Sequence, residues 1–128
     1  MNKSYIVRIG RGGSIKKVPV VTTGGKAVPD EECIRVLDGK SGEDIDLVDI
    51  GNNCLLAGFS RGMESESSDR RGLRKNVYAN KLLKKCTQIG YDVYGNTVVG
   101  RNLGNGIIGG MDSKEADKLL QLIRNILL

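Results

Sequence analysis

The first half of the chain is a series of short apolar stretches separated by glycine-rich turns. Residues 4–9 and 43–50 alternate apolar and polar residues, which is typical of a strand with one buried face. Strands are predicted at residues 4–9, 15–21, 33–37, 43–50 and 54–59. Because turn residues separate these short stretches throughout, we expect an antiparallel sheet of four to five strands.

The second half changes to a helical spacing. Between Asp69 and Gly90 the apolar residues recur every three or four positions, at Leu73, Val77, Ala79, Leu82, Leu83, Cys86 and Ile89. This spacing predicts a helix with one buried stripe. Ser68 or Asp69 is expected to cap its start, and Gly90 is expected to end it.

A second helix is predicted over residues 113–128. Its apolar stripe consists of Ala116, Leu119, Leu120, Ile123, Ile126 and Leu127. Asp112, followed three residues later by Glu115, is typical of a capping box at the start of a helix. The stripe is longer than a thin sheet easily covers, so we expect part of it to form the interface of a homo-oligomer.

Between the two helices, residues 91–94 and 97–99 flank Gly95 and Asn96, which favour a tight hairpin turn. The strands precede the helices, and this order predicts an α+β fold. The expected fold is an N-terminal antiparallel sheet, a basic helix, a β-hairpin and a C-terminal amphipathic helix. The length suits a single domain. Within residues 1–128 we expect a mainly β part (1–60), a flexible polar loop (61–69) and a basic half (70–128).

Charge separates the two halves of the chain. Residues 1–69 carry nine cations and eleven acids, a net of −2, whereas residues 70–128 carry eleven cations and four acids, a net of +7. This asymmetry favours contact with nucleic acid or another anionic partner, the alternative being an ordinary solvated surface. The first helix concentrates the cations, and its predicted phosphate contacts are Arg70, Arg71, Arg74, Lys75, Lys81, Lys84 and Lys85.

Arginine also occurs inside glycine-rich turns, where small neighbours let a phosphate approach the guanidinium group. Arg11 lies within residues 10–14, and Arg101 precedes a segment rich in glycine, so both are predicted as secondary phosphate contacts. A candidate ligand loop consists of Gly104, Asn105 and Gly106. These residues begin a G-x-G-x-x-G pattern, but it does not open a βαβ unit as a dinucleotide site requires. A plain connection is the alternative.

The chain contains no histidine, which removes the commonest general base and most zinc sites. No catalytic or cofactor motif is complete, so we expect a non-catalytic protein without a cofactor or a metal. Asp44 and Asp46 share one face of a strand and could hold a divalent cation, although a solvated face is the simpler explanation.

Three widely spaced cysteines, Cys33, Cys54 and Cys86, are expected to be reduced, which fits a cytoplasmic protein. No apolar run approaches the length of a membrane span, so no membrane partner is expected.

The leading prediction is a non-catalytic binding protein for a phosphate-bearing partner, with nucleic acid ahead of nucleotide. It would bind through the basic helix and the glycine and arginine loops. The first alternative is an oligomeric protein that binds or sequesters a small ligand, such as a nucleotide, at glycine loops between subunits. The second alternative is a structural or protein-interaction module.

Overall fold

The structure is a computed structural model that describes residues 3–63, 73–89 and 92–127. In these residues six strands form one sheet: β1 (Ser4–Ile9), β2 (Ile15–Val20), β3 (Ile45–Gly51), β4 (Cys54–Phe59), β5 (Thr97–Asn102) and β6 (Ile108–Gly109). The same residues contain four α-helices: α1 (Asp30–Val36), α2 (Ser60–Met63), α3 (Val77–Cys86) and α4 (Ser113–Leu127). None of the described helices has the length and apolar character that a membrane span requires.

The sheet is antiparallel, with the strand order β2-β1-β5-β4-β3, and β6 pairs with the end of β5. Strand β5 comes from the second half of the chain but lies at the centre, between β1 and β4. Both halves therefore contribute to one sheet. The predicted α+β fold, with an antiparallel sheet and a C-terminal helix, is confirmed.

Helices cover both faces of the sheet. Side chains of consecutive strand residues point to opposite faces, so Val98 packs in the core beneath α1, whereas Val99 packs in the core beneath α3 and α4. Leu55 and Leu56 of β4 are divided between the two cores in the same way. Burial on both faces explains why residues 54–59 lack polar alternation.

Residues 33–37 were predicted as a strand, but the structure places most of them in α1, so this prediction is wrong. Pro29 precedes the helix, and three acids occupy its first turn, where they complement the partial positive charge of a helix N-terminus. Cys33, Val36 and Leu37 are buried at helical spacing against the sheet. The run is too short for periodicity alone to distinguish a strand from a helix.

The predicted hairpin at Gly95 and Asn96 is also absent among the described residues. Tyr94 forms an isolated bridge with Lys75, and Gly95 N donates to the carbonyl oxygen of Arg74 over 2.7 Å. The chain then enters β5, which lies between β1 and β4, two strands from distant parts of the sequence. The hairpin connection forms later, between β5 and β6.

Helix α3 is shorter than predicted, with ten residues. Asn76 caps its start, because its Oδ1 accepts a hydrogen bond of 3.0 Å from Ala79 N. The predicted caps Ser68, Asp69 and Gly90 lie outside the described residues.

Helix α4 follows its prediction closely. Glu115 N donates to Asp112 Oδ1 over 2.8 Å at its start. The buried members of its stripe are Ala116, Leu119, Ile123 and Leu127. These side chains pack within the chain, in the same core as α3.

The predicted flexible loop over residues 61–69 falls mostly outside the described part of the chain. Its first three residues, Arg61, Gly62 and Met63, instead belong to α2. Gly62 and Met63 are buried there.

Candidate ligand-binding site

A cleft of about 600 Å³ opens where β1 and β4 end and β5 begins. Its lining residues come from the end of β1 and the loop after it (residues 8–14), from the segment after α1 (residues 37–43), from the end of β4 and α2 (residues 59 and 61), and from residues 73, 95 and 96. We call this the arginine cleft. Of the sequence-predicted contacts, it contains Arg11.

The arginine cleft is rich in charge. Its cationic lining residues are Arg8, Arg11, Lys40 and Arg61, and its acidic ones are Asp38 and Glu43, which leaves a net of +2. A concave site with an excess of one charge attracts ligands of the opposite charge. The cleft is therefore electrostatically suited to an anion.

Arg8 reaches from β1 to the end of α1. Its Nε donates to the carbonyl oxygen of Val36 over 2.9 Å, and its Nη2 donates to Asp38 Oδ2 over 2.7 Å. Asp38 adopts a left-handed backbone with a φ of 61°, a conformation that aspartate and asparagine tolerate better than most residues. The two contacts place the Asp38 carboxylate at the cleft.

Arg61 forms a second pair on the cleft lining. Its Nε lies 3.2 Å from Glu43 Oε2, and its Nη2 lies 3.1 Å from Glu43 Oε1. The guanidinium carbon also lies 5.5 Å from the centroid of the Phe59 ring, within the range of a cation–π contact. The Glu43 carboxylate is thus the bidentate partner of the Arg61 guanidinium group.

Asn96 connects two of the lining segments, the loop after β1 and the end of α1, through hydrogen bonds. Its side chain is buried, with a relative exposure of 9%. Its Oδ1 accepts a hydrogen bond of 3.0 Å from Arg11 N, and its Nδ2 donates to the carbonyl oxygen of Leu37 over 3.0 Å. The amide thus fixes the loop after β1 relative to the end of α1.

The loop that carries Arg11 uses several backbone N–H groups internally. Gly10 N donates to the carbonyl oxygen of Ser14 over 2.7 Å, and Gly13 N donates to that of Gly10 over 3.0 Å. Gly13 has a φ of 94°, and a Cβ added there would lie 2.7 Å from the Tyr78 ring. The backbone N–H groups of Gly10, Arg11 and Gly13 are therefore not free to form a cradle for an anion.

Two lysines of the basic helix α3 form hydrogen bonds within the fold. Lys81 Nζ donates to the carbonyl oxygen of Leu127 over 2.7 Å, and Lys85 Nζ donates to that of Ile126 over 2.6 Å. These carbonyls lie in the last turn of α4, where a helix carries partial negative charge. Both lysines thus act as caps of a neighbouring helix.

The other predicted phosphate contacts of the basic helix lie in separate environments. Lys75 pairs with Asp92 at 3.1 Å. Arg74 and Lys84 are exposed, and neither forms an ion pair with the residues that the structure describes. Arg70 and Arg71 lie outside the described residues. The five predicted cations of this helix that the structure describes are thus not among the lining residues of the arginine cleft.

Arg101 lines a different cleft, of about 480 Å³, beside α4. It forms an ion pair there with Glu115. The candidate ligand loop of Gly104, Asn105 and Gly106 turns the chain from β5 to β6, and all three residues have positive φ. Leu103 N donates to the carbonyl oxygen of Ile107 across this turn, so a hairpin turn accounts for its glycines.

The three cysteines are free. Burial, with Asp30 and Glu32 nearby, raises the pKa of the Cys33 thiol to about 12. Burial also raises the pKa of Cys54 and of Cys86. Thiols with raised pKa values are poor nucleophiles at neutral pH. No group of three or more side chains suited to a metal ion occurs in the described part of the chain.

Sequence reasoning missed most residues of the arginine cleft. Arg8, Asp38, Lys40 and Arg61 stand singly in the sequence, without a motif. Because residues 33–37 were predicted as a strand, the end of α1 was not predicted. The end of α1 places Asp38 and Lys40 near the loop that carries Arg11. The acidic start of residues 30–32 after Pro29 was the signal for that helix.

Comparison with protein-family models, with curated proteins and with solved structures found no match.

Proposed function

We propose that this protein binds a small phosphate-bearing ligand in the arginine cleft, without transforming it. The observation that carries the proposal is the convergence of four cationic side chains on one cleft with a net charge of +2. Arg8 and Arg11 lie three positions apart, whereas Lys40 and Arg61 come from two other segments of the chain. The fold brings these three segments together.

The dimensions of the cleft favour a small molecule. Ligand-binding pockets commonly enclose about 300–1,000 Å³, and the arginine cleft has about 600 Å³. Guanidinium groups match the geometry of phosphate oxygens, and Lys40 adds a point charge. Lys40 forms no ion pair with the described residues, so its charge is available to a ligand.

Nucleic acid is the second candidate. It is favoured by the exposed Arg74 and Lys84 and by the positive charge of the second half of the chain. Lys81 and Lys85 hold the end of α4, which leaves fewer cations of α3 for a phosphate backbone. We rank this candidate second for that reason.

A homo-oligomer stays a prediction. The apolar stripe that suggested it is largely buried within the chain, and Leu122 of α4 keeps a relative exposure of 40%. Sedimentation of the purified protein over a range of concentrations would test it.

The proposed binding can be measured by titration calorimetry with inorganic phosphate, ribose 5-phosphate and AMP. The double variant Arg11→Gln/Lys40→Gln should weaken binding by about tenfold or more, because two charge-assisted contacts are lost. The double variant Lys3→Gln/Lys114→Gln removes the same charge from exposed positions outside the cleft and should bind like the wild type. Equal weakening by both variants would indicate general charge attraction and contradict the proposed site.

A further inference from the structure

The acids of the arginine cleft need an explanation that an anion alone does not supply. Asp38 and Glu43 repel phosphate and compete with it for the guanidinium groups of Arg8 and Arg61. A site that selected only for negative charge would do better without them. Their presence indicates a ligand that also carries hydrogen-bond donors.

Asp38 has the capacity to accept such donors. An ionised carboxylate offers about four acceptor positions, and Arg8 Nη2 contacts one oxygen, Oδ2. The Asp38 side chain is 73% exposed, so a ligand in the cleft can reach its other oxygen. Hydroxyl groups are the neutral donors that a carboxylate accepts most readily.

The cleft also has room and apolar surface for a carbon skeleton. Its volume of about 600 Å³ is far more than a phosphate group fills. Leu37, Phe59 and Leu73 belong to its lining. A ligand that fills it therefore combines an anionic group, hydroxyl groups and an apolar part.

We infer that the ligand is a phosphorylated sugar, held at its phosphate by Arg11 and Lys40 and at a sugar hydroxyl by Asp38. The inference rests on the proposed binding of a phosphate-bearing ligand in the arginine cleft. The same chemistry occurs in a free sugar phosphate and in the ribose phosphate of a nucleotide. Ribose 5-phosphate and AMP represent these two sources.

The first measurement compares inorganic phosphate with ribose 5-phosphate on the wild-type protein by titration calorimetry. One hydrogen bond to a charged acceptor corresponds to about a tenfold gain in affinity, so ribose 5-phosphate should bind about tenfold more tightly or better. AMP then identifies the source: tighter binding than ribose 5-phosphate assigns a role to the base, and equal binding assigns the site to the sugar phosphate. Both results support the inference.

The second measurement uses Asp38→Asn. Asparagine tolerates the left-handed backbone and keeps the shape of the side chain but loses the carboxylate. The preference for ribose 5-phosphate over inorganic phosphate should fall by about fivefold to tenfold. The ratio of the two affinities is the readout, because the release of Arg8 affects both ligands alike.

Asp117→Asn is the matched control. Asp117 also forms an exposed ion pair, with Lys17 at 2.9 Å, but does not line the cleft. This variant should keep the preference of the wild type. Equal wild-type affinities for inorganic phosphate and ribose 5-phosphate, or an unchanged preference in Asp38→Asn, would overturn the inference and leave the proposed function standing. Absence of binding to all three compounds would instead contradict the proposed function itself.

Discussion

Asn96 Nδ2 donates to the carbonyl oxygen of Leu37 over 3.0 Å, which joins the start of β5 to the end of α1. These two residues are 59 positions apart. The same amide accepts from Arg11 N, so one buried side chain holds two segments of the arginine cleft in place. Buried amides with both ends satisfied stabilise a unique arrangement of loops.

Asn96→Ala should therefore lower the free energy of unfolding by about 1–3 kcal/mol, because it leaves the partly buried N–H of Arg11 and the buried carbonyl of Leu37 without these partners. It should also weaken ligand binding, since the Arg11 loop loses its anchor. Urea unfolding and titration calorimetry measure the two effects. Asn125→Ala, at an exposed position of α4, is the control and should change stability by about 0.5 kcal/mol or less. A similar change in both variants would contradict the anchoring role.

The C-terminal helix provides a test of the core. Ile123 has a relative exposure of 1% and packs against the sheet together with α3. Ile123→Ala should cost about 2–5 kcal/mol of unfolding free energy, because it leaves a cavity in a packed core. Gln121 lies on the exposed side of the same helix, and Gln121→Ala should cost about 0.5 kcal/mol or less. Thermal or urea unfolding distinguishes the two, and small effects from both would mean that α4 is loosely attached.

The sequence predicts those elements whose pattern is long or unambiguous. The stripe of α4 repeats over four turns, and its capping aspartate precedes it, so both the element and its start are predictable. β1 and β4 match their predicted ranges, and turn residues follow β1 and precede β4. Short apolar runs such as residues 33–37 carry too little periodicity to separate strand from helix.

The arginine cleft was not predictable as a unit. Its members come from segments that are adjacent only because β1 pairs with β5 and β5 pairs with β4, and local pattern carries no information on such long-range pairing. Asn96 illustrates the difficulty: its position after a glycine favours a turn, whereas the structure uses its amide to connect Arg11 and Leu37. The density of cations in residues 70–85 similarly does not reveal that Lys81 and Lys85 hold α4.

Those two lysines give the next prediction. Lys81→Gln/Lys85→Gln should lower the free energy of unfolding by about 0.5–2 kcal/mol, because the last carbonyls of α4 lose their charged donors. Lys84→Gln, at a neighbouring exposed position without such a contact, should leave stability nearly unchanged. Urea unfolding at low salt measures the difference, which should shrink as salt screens the charges. If the double variant is as stable as Lys84→Gln, the two hydrogen bonds contribute nothing measurable.

Nucleic-acid binding is best tested at Arg74 and Lys84, which are exposed and form no ion pair with the described residues. Arg74→Glu/Lys84→Glu should weaken binding to a single-stranded or duplex oligonucleotide several-fold and reduce the dependence of affinity on salt, because fewer counterions are released. The double variant Arg11→Gln/Lys40→Gln is measured for comparison, because its two substitutions lie in the arginine cleft. Fluorescence anisotropy at several salt concentrations measures both. If the wild type binds oligonucleotides no better than Arg74→Glu/Lys84→Glu at every salt concentration, this surface is not a nucleic-acid interface.

The raised pKa of Cys33 predicts a loss of stability at alkaline pH. The thiol keeps its proton up to a pKa of about 12 in the folded protein, against an ordinary value of 9.0. Between these values the folded state binds more protons than the unfolded state, so the stability contributed by the neutral thiol is present below pH 9 and is lost as pH rises toward 12.

Lysines and tyrosines titrate in the same range. The variant Cys33→Ala keeps these groups and lacks the thiol, so a comparison with the wild type separates their effect from that of the thiol. The difference in unfolding free energy between the wild type and Cys33→Ala should therefore decrease as pH rises from 8 to 11, by up to about 1.4 kcal/mol per pH unit. Urea unfolding in the presence of reductant measures this difference, and a difference that stays constant with pH would show that Cys33 ionises equally in both states.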